Sequence, residues 1–193
     1  MVLSTGINKI RTAVFISGTG SNLKSLIKFS KTNKSPISIE LIVSNNSKAK
    51  GLNYAKTHKI KKKVLNFKNK NLSEKKLLFI LKKINIEIIC LAGFMKILSK
   101  NFIKNFKGKI LNIHPSLLPK YKGLNTHEKA LINKEKYSGC TVHFVNSRLD
   151  SGKIILQKKV KISENETVDS LAKKILVQEH KLYPKAILKI FNL

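Results

Sequence analysis

The sequence has few cysteines, no tryptophan and no long apolar run. Cys90 and Cys140 are the only cysteines, and both lie in apolar strand-like segments. This placement predicts buried free thiols in a reducing compartment rather than a disulfide framework. No stretch approaches the roughly 18 consecutive apolar residues of a transmembrane helix, and the start of the chain lacks the pattern of a signal peptide. We therefore expect a cytoplasmic protein that does not bind membranes.

Acidic residues and arginines are also scarce, although the chain is strongly basic. It has 10 acidic and 39 basic residues, a formal net charge of +29. Such a charge is typical of nucleic-acid-binding proteins. However, only Arg11 and Arg148 are arginines, the side chains that best read phosphates and bases, and the lysines are scattered along the chain. We expect a generally positive surface that attracts anionic small substrates, without a specific nucleic-acid partner.

Apolar strand-like segments alternate with helical patterns along the 193 residues. This alternation favours an α/β fold with a mostly parallel central sheet and helices on both faces. The last two strands have only a short link, which indicates an antiparallel part near the C-terminus. Ser73 is the predicted N-cap of the helix LSEKKLLFILKKI, and a helix from about Thr167 closes the chain. The length suits a single domain over residues 1–193.

The segment SGTGSNL joins the first strand to the first helix. Gly18 and Gly20 can adopt positive φ, and Ser21 and Asn22 open a helix whose free N–H groups attract an anion. The dinucleotide-binding fingerprint is incomplete, because Leu23 stands where a third glycine is needed. The loop is therefore either an ordinary strand-to-helix turn or a cradle for one small phosphate.

Asn112 and His114 lie two residues apart in KILNIHP, so their side chains project from one face of a strand. Pro115 ends this strand at the carboxyl edge of the sheet, where ligands bind in open α/β folds. The two polar side chains therefore predict a functional site. The alternative is a histidine that only hydrogen-bonds the following loop.

The two aspartates of the chain occupy different settings. Asp169 falls in the first turn of the last helix, where it complements the helix dipole. Asp150 lies in the turn-like segment RLDSGK, where it either makes an Asx turn or serves the site. A carboxylate beside His114 would favour the imidazolium, and Asn112 with this cation could stabilise an oxyanion on a tetrahedral carbon. No nucleophilic serine or cysteine motif accompanies them, which favours direct attack by the acceptor.

The chain resembles the folate-dependent formyltransferases that act on phosphoribosylglycinamide. The resemblance covers nearly the whole chain in order, through ISGTGSNL, LAGFMKILS, LNIHPSLLPKYKG, THEKAL, TVHFV, LDSGKIILQ and QEHKLYP. It implies a Rossmann-like formyltransferase fold without a metal. It also implies transfer of a formyl group from 10-formyltetrahydrofolate, the co-substrate, to the amine of 5'-phosphoribosylglycinamide (glycinamide ribonucleotide) in de novo purine biosynthesis, through a tetrahedral intermediate.

The resemblance also implies roles for individual residues. His114 would be the general acid, Asn112 would polarise the formyl oxygen, and Asp150 would support the histidine and the proton transfers. The residues implied for the glycinamide ribonucleotide are Gly20, Ser21, Asn22 and Glu179. Those implied for the folate are Met95, Lys96, Ile97, Leu98, Asn112, Asn146, Ser147, Arg148, Leu149 and Asp150.

The sequence departs from the family pattern near the folate. Lys96 stands where arginine is common, Asn125 where relatives often have histidine, and the Lys/Asn-rich loop 66–71 lacks a folate-side arginine. The turn SLLPKYKG beside the site predicts a cis Leu118–Pro119 bond.

Two other formyl enzymes share the Asn-x-His and Asp core. Methionyl-tRNA formyltransferase has a different first loop and a second domain. Formyltetrahydrofolate hydrolase has an additional N-terminal domain, whereas the first strand here is expected near residue 9. The glycinamide ribonucleotide enzyme is therefore the favoured interpretation, as a monomer or weak homodimer. A basic nucleic-acid-binding module leaves Asn112, His114 and Asp150 unexplained.

Overall fold

A computed structural model describes residues 9–193. The start of the chain, on which the signal-peptide interpretation partly depends, lies outside the described residues. The strands are β1 (Ile10–Ile16), β2 (Ile37–Ser44), β3 (Lys61–Val64), β4 (Ile88–Leu91), β5 (Lys109–His114), β6 (Tyr137–Phe144) and β7 (Ile154–Lys161). The helices are α1 (Ser21–Ser30), α2 (Asn53–Thr57), α3 (Lys70–Lys83), α4 (Lys100–Asn105), α5 (Thr126–Ile132) and α6 (Val168–Ile190), with a 3₁₀ turn at Lys50–Leu52.

The seven strands form one sheet in the order β3-β2-β1-β4-β5-β6-β7. Neighbouring strands from β3 to β5 are parallel, whereas β6 is antiparallel to both β5 and β7. The predicted α/β class, with its antiparallel part near the C-terminus, is confirmed. The chain leaves β1 towards β2 on one side and returns through β4 on the other, so a crevice opens at the carboxyl edge between β1 and β4.

Alternate residues of the central strands pack on opposite faces of the sheet. In β1, Val14 and Ile16 join a core with α1 and α6, whereas Ala13 and Phe15 join a second core with α3 and α4. This two-residue period explains why the central strands are apolar throughout, since each face is covered by helices. The prediction of helices on both faces is confirmed.

Both cysteines are buried and free, as predicted. Burial raises the pKa of Cys90 and of Cys140 to about 12, so neither thiol forms a reactive thiolate near neutral pH. No helix among residues 9–193 is long and apolar enough to cross a membrane.

The predicted start of α3 is wrong, whereas that of α6 is confirmed. Asn69 caps α3 by accepting a hydrogen bond from the Leu72 N–H at 3.0 Å, and Ser73 lies inside the helix. Asparagine and serine are comparably good N-caps, so helix periodicity alone did not distinguish them. Thr167 caps α6 and exchanges hydrogen bonds with Ser170.

We predict that Gly139→Ala weakens the antiparallel half of the sheet. A Cβ at Gly139 would lie 2.0 Å from the Lys158 carbonyl oxygen on β7 and 2.8 Å from Leu117 Cδ2. Because a neighbouring strand must move to admit it, chemical denaturation should show a loss of about 1–3 kcal/mol. The matched control is Ser138→Ala, which removes a buried hydroxyl that has no partner among the described residues and should cost little. Equal stability of the two variants would contradict the prediction.

Candidate active site

A cavity of about 1200 Å³ opens at the carboxyl edge of the sheet. Its walls come from the β1–α1 and β4–α4 loops, the end of β5, the start of α5, the β6–β7 loop and one face of α6. Every site residue that the sequence predicted lines this cavity: Gly20, Ser21, Asn22, Met95, Lys96, Ile97, Leu98, Asn112, His114, Asn146, Ser147, Arg148, Leu149, Asp150 and Glu179. Segments far apart in the chain therefore meet at one place, as the separate motifs required.

One end of the cavity is the start of α1. Gly20 precedes the helix with φ 75°, no side chain caps it, and its first turn contains no acidic residue. The first N–H groups of a helix have no intrahelical partners. Because Ser21 and Asn22 line the cavity, their N–H groups can donate hydrogen bonds to an anion there. Gly20 also packs closely, because a Cβ there would lie 2.8 Å from Gly51 Cα. Of the two readings of SGTGSNL, the geometry favours the phosphate cradle.

Asn22 and Glu179 form a polar pair beside this cradle. Asn22 Nδ2 donates to Glu179 Oε2 at 2.6 Å, and both residues are buried. Burial raises the pKa of Glu179, and the hydrogen bond from Asn22 partly opposes this shift. Asn22 Oδ1 is buried without a hydrogen-bond partner among the described residues, so it is an acceptor that a ligand hydroxyl or amine could satisfy.

Asp150 lies at the other end of the cavity, in contact with three parts of the chain. Its Oδ2 accepts from the Gly123 N–H at 2.9 Å and lies 3.4 Å from His114 Nδ1. Its Oδ1 lies 3.5 Å from Asn112 Nδ2 and 3.7 Å from His143 Nε2. The Asp150 side chain is only 7% exposed, and its backbone has a positive φ of 44°. A simple Asx turn does not account for these contacts to two other strands and the α5 loop.

His114 is enclosed between acceptors. Its Nε2 donates to the Tyr121 carbonyl oxygen at 2.8 Å, and its Nδ1 faces Asp150. A carbonyl and a carboxylate can only accept, so the ring satisfies both contacts when both nitrogens carry hydrogen. Tyr121 has φ 56° and belongs to the turn after Leu118–Pro119, whose bond is cis as predicted. Both ring nitrogens of His114 therefore face acceptors beside the cavity.

His143 is a site residue that the sequence analysis missed. It pairs with Asn112 across β5 and β6, is 2% exposed and donates from Nδ1 to the Phe144 carbonyl oxygen at 2.8 Å. Burial, with a smaller contribution from the nearby His114, lowers the pKa of His143 more than the Phe144 contact and Asp150 raise it. The neutral ring leaves Nε2 as an acceptor for Asn112 Nδ2 at 3.2 Å, which fixes the orientation of the Asn112 amide. The available signal was a histidine in the apolar strand TVHFV.

An apolar wall lies between the two polar ends. Met95, Ile97, Leu124 and Leu149 are at least half exposed, although all four line the cavity. Large apolar side chains clustered at one cavity are typical of a ligand surface.

The loop that carries Met95 and Ile97 is held at both ends. Ser17 Oγ accepts from the Met95 N–H at 2.7 Å and donates to Asn45 Oδ1 at 2.5 Å. At the other end the Ser99 N–H donates to the buried Glu74 carboxylate at 2.8 Å. These hydrogen bonds anchor both ends of the loop.

The cavity brings Asn112, His114 and Asp150 together. Within residues 9–193, no set of three or more His, Cys, Asp or Glu side chains is placed to hold a metal ion. His127 also lines the cavity, and burial lowers its pKa more than the nearby His114 does. An amide, a histidine and a carboxylate together can stabilise an oxyanion and move protons.

The chain matches known formyl transferases over most of its length. The model of the formyl transferase family matches residues 10–187. Phosphoribosylglycinamide formyltransferase of Escherichia coli (strain K12) is 40% identical over 177 residues, which cover 90% of this chain and 84% of that protein. The human trifunctional purine biosynthetic protein adenosine-3 is 43% identical over 182 residues. That match covers 93% of this chain but 18% of the human protein, so the chain spans less than a fifth of this longer relative.

Solved structures give the same result. The crystal structure of phosphoribosylglycinamide formyltransferase from Brucella melitensis has a TM-score of 0.89 at 41% identity, covering 95% of this chain and 96% of that one. The corresponding structure from Anaplasma phagocytophilum has a TM-score of 0.87 at 42% identity, with 93% and 85% covered. The resemblance stated from the sequence is confirmed, and the chain belongs to the formyl transferase family, among the phosphoribosylglycinamide formyltransferases.

Proposed function

We propose that the protein transfers a formyl group from 10-formyltetrahydrofolate to the amine of 5'-phosphoribosylglycinamide. The observation that carries the proposal is the pairing of an anion cradle at α1 with the Asp150 cluster in one cavity. Its volume of about 1200 Å³ exceeds the roughly 300–1000 Å³ of a typical single-ligand pocket, which suits two substrates bound together. The enzyme would act in the cytoplasm as one domain over residues 1–193, a monomer or weak homodimer, without a metal or a specific nucleic acid.

The glycinamide ribonucleotide occupies the α1 end in this proposal. The free N–H groups after Gly20 receive its phosphate, together with Ser21 and Asn22. Glu179, held by Asn22 at 2.6 Å, accepts from hydroxyl or amine groups of the same substrate. The positive surface contributes by attracting both anionic substrates.

The folate occupies the apolar wall. Its ring system contacts the loop of Met95, Lys96, Ile97 and Leu98 and the loop Asn146, Ser147, Arg148, Leu149 and Asp150, all of which line the cavity. Lys96 and Arg148 supply positive charge for the anionic glutamate tail. The formyl carbon then lies beside Asn112 and His114.

The proposed reaction is direct. The substrate amine attacks the formyl carbon, a C–N bond forms, and the carbonyl oxygen becomes an oxyanion. The Asn112 amide has two N–H hydrogens. One is donated to His143 Nε2, and the other, whose contact to Asp150 is long at 3.5 Å, is available to this oxygen. The imidazolium of His114 stabilises the same charge.

Collapse of the intermediate breaks the bond to the folate nitrogen. That nitrogen gains one proton and the attacking amine loses one, so the transfer is balanced. The proton on His114 Nδ1, which lies 3.4 Å from Asp150, is the one that can be donated to the folate nitrogen. The Asp150 carboxylate balances the positive charge on the His114 ring and can accept the proton that the attacking amine loses.

A formyl-transfer assay tests the proposal directly. Purified protein with 10-formyltetrahydrofolate should formylate glycinamide ribonucleotide, and the form without its phosphate should react with a much higher KM because the α1 cradle is left empty. Formylation of initiator methionyl-tRNA, or release of formate without an acceptor, would instead identify another formyl enzyme. Absence of transfer to glycinamide ribonucleotide would contradict the proposal.

We predict that His114→Ala lowers kcat by about 10²–10⁴, the usual contribution of a positioned acid or base. Substrate KM values should change much less, since His114 contributes to the transition state rather than to binding. Steady-state kinetics with each substrate varied in turn measures both. Near-normal turnover of the variant would remove His114 from the mechanism.

We predict that protonation of His143 inactivates the site. Its folded-state pKa lies below the ordinary value of about 6.5, so the stability contributed by the neutral ring is complete above that pH and is lost as the pH falls through the depressed pKa. The protonated ring can no longer accept from Asn112, so kcat should fall over the same range. NMR titration of the ring gives the pKa. A His143 pKa at or above 6.5 would contradict this prediction.

A further inference from the structure

The long helix α6 contains an internal proline, Pro184, which removes one main-chain hydrogen bond of the helix. A side chain of α1 replaces this hydrogen bond. Pro184 has no N–H, so the carbonyl four residues earlier, that of His180, loses its helical partner. Ser25 Oγ of α1 donates to this same carbonyl oxygen at 2.8 Å. The hydroxyl therefore replaces the main-chain hydrogen bond that Pro184 removes.

This contact lies next to the polar pair of the cavity. Asn22 precedes Ser25 by about one turn of α1, and Glu179 immediately precedes His180 on α6. The hydrogen bonds from Asn22 to Glu179 and from Ser25 to His180 thus bridge the same two helices side by side. If α6 shifted along the axis of α1, the Glu179 carboxylate would move relative to the cradle at Gly20.

Other contacts of α6 hold it against the sheet. Tyr183 is fully buried, and its hydroxyl lies 3.1 Å from both the Leu91 and Leu111 carbonyl oxygens. These contacts attach the helix to the end of β4 and the middle of β5. One turn away, on the side towards α1, the Ser25 hydroxyl satisfies a carbonyl that would otherwise lack a protein partner.

We propose that Ser25 is a positioning residue for the glycinamide ribonucleotide site. By binding the His180 carbonyl freed by Pro184, it sets α6 on α1 so that Glu179 meets Asn22 and faces the substrate. Ser25 itself is not among the residues that line the cavity. The inference rests on the proposed function for the identity of this substrate.

The first test is Ser25→Ala. The KM for glycinamide ribonucleotide should rise about three- to tenfold, the range expected for loss of one neutral hydrogen bond. The kcat and the KM for the formyl folate should stay within about twofold, because the folate wall lies on other loops. Ser25→Thr, which keeps the hydroxyl, should restore the KM. The matched control is Ser30→Ala on the same helix, whose hydroxyl donates only to the Ile27 carbonyl of its own helix.

The second test restores the missing main-chain donor. Pro184→Ala gives His180 back its helical partner, so adding Ser25→Ala in that background should raise the KM less than twofold. An equal rise in both backgrounds would overturn the proposal, since the hydroxyl would then act through some other contact. An unchanged KM in the single variant Ser25→Ala would also overturn it.

Direct binding separates this inference from the proposed function. Calorimetry of the wild-type protein with glycinamide ribonucleotide alone should show binding. Absence of wild-type binding would contradict the proposed function. Wild-type binding with the same affinity in Ser25→Ala would overturn only the role of Ser25.

Discussion

The site depends on one buried carboxylate. The side chain of Asp150 is only 7% exposed, and burying a polar group costs free energy unless hydrogen-bond donors surround it. These donors are the Gly123 N–H, the Asn112 amide and the ring of His114, which come from a loop and from β5. These contacts offset the free-energy cost of burying the Asp150 side chain. They also fix the position of the groups proposed to act on the formyl carbon.

The mixed sheet is what makes this arrangement possible. The parallel half brings the starts of α1 and α4 to one edge, with the anion cradle and the apolar wall. Because β6 is antiparallel to β5 and ends at Phe144, which pairs with Leu111, the β6–β7 loop starts beside the middle of β5. From there Asp150 of the loop reaches both His114 and Asn112 of β5.

Some of the site followed from local sequence rules, and some did not. The two-residue period of a strand places Asn112 and His114 on one face, and Asp150 was the aspartate without a helix-dipole role. His143 was missed because a single histidine in TVHFV is also typical of a half-buried strand. Glu179 was assigned only through the family resemblance, since its partner Asn22 lies 157 residues away and no local pattern reveals such a contact.

The kinetics of Asp150→Asn test the account most directly. The substitution keeps the size of the side chain but removes its charge, and Asp169→Asn, at the only other aspartate, is the matched control. The account predicts that kcat falls by about 10²–10⁴ in Asp150→Asn, with both KM values within a few fold, and that the control stays close to wild type. A kcat near the wild-type value in Asp150→Asn would contradict the central role of this carboxylate.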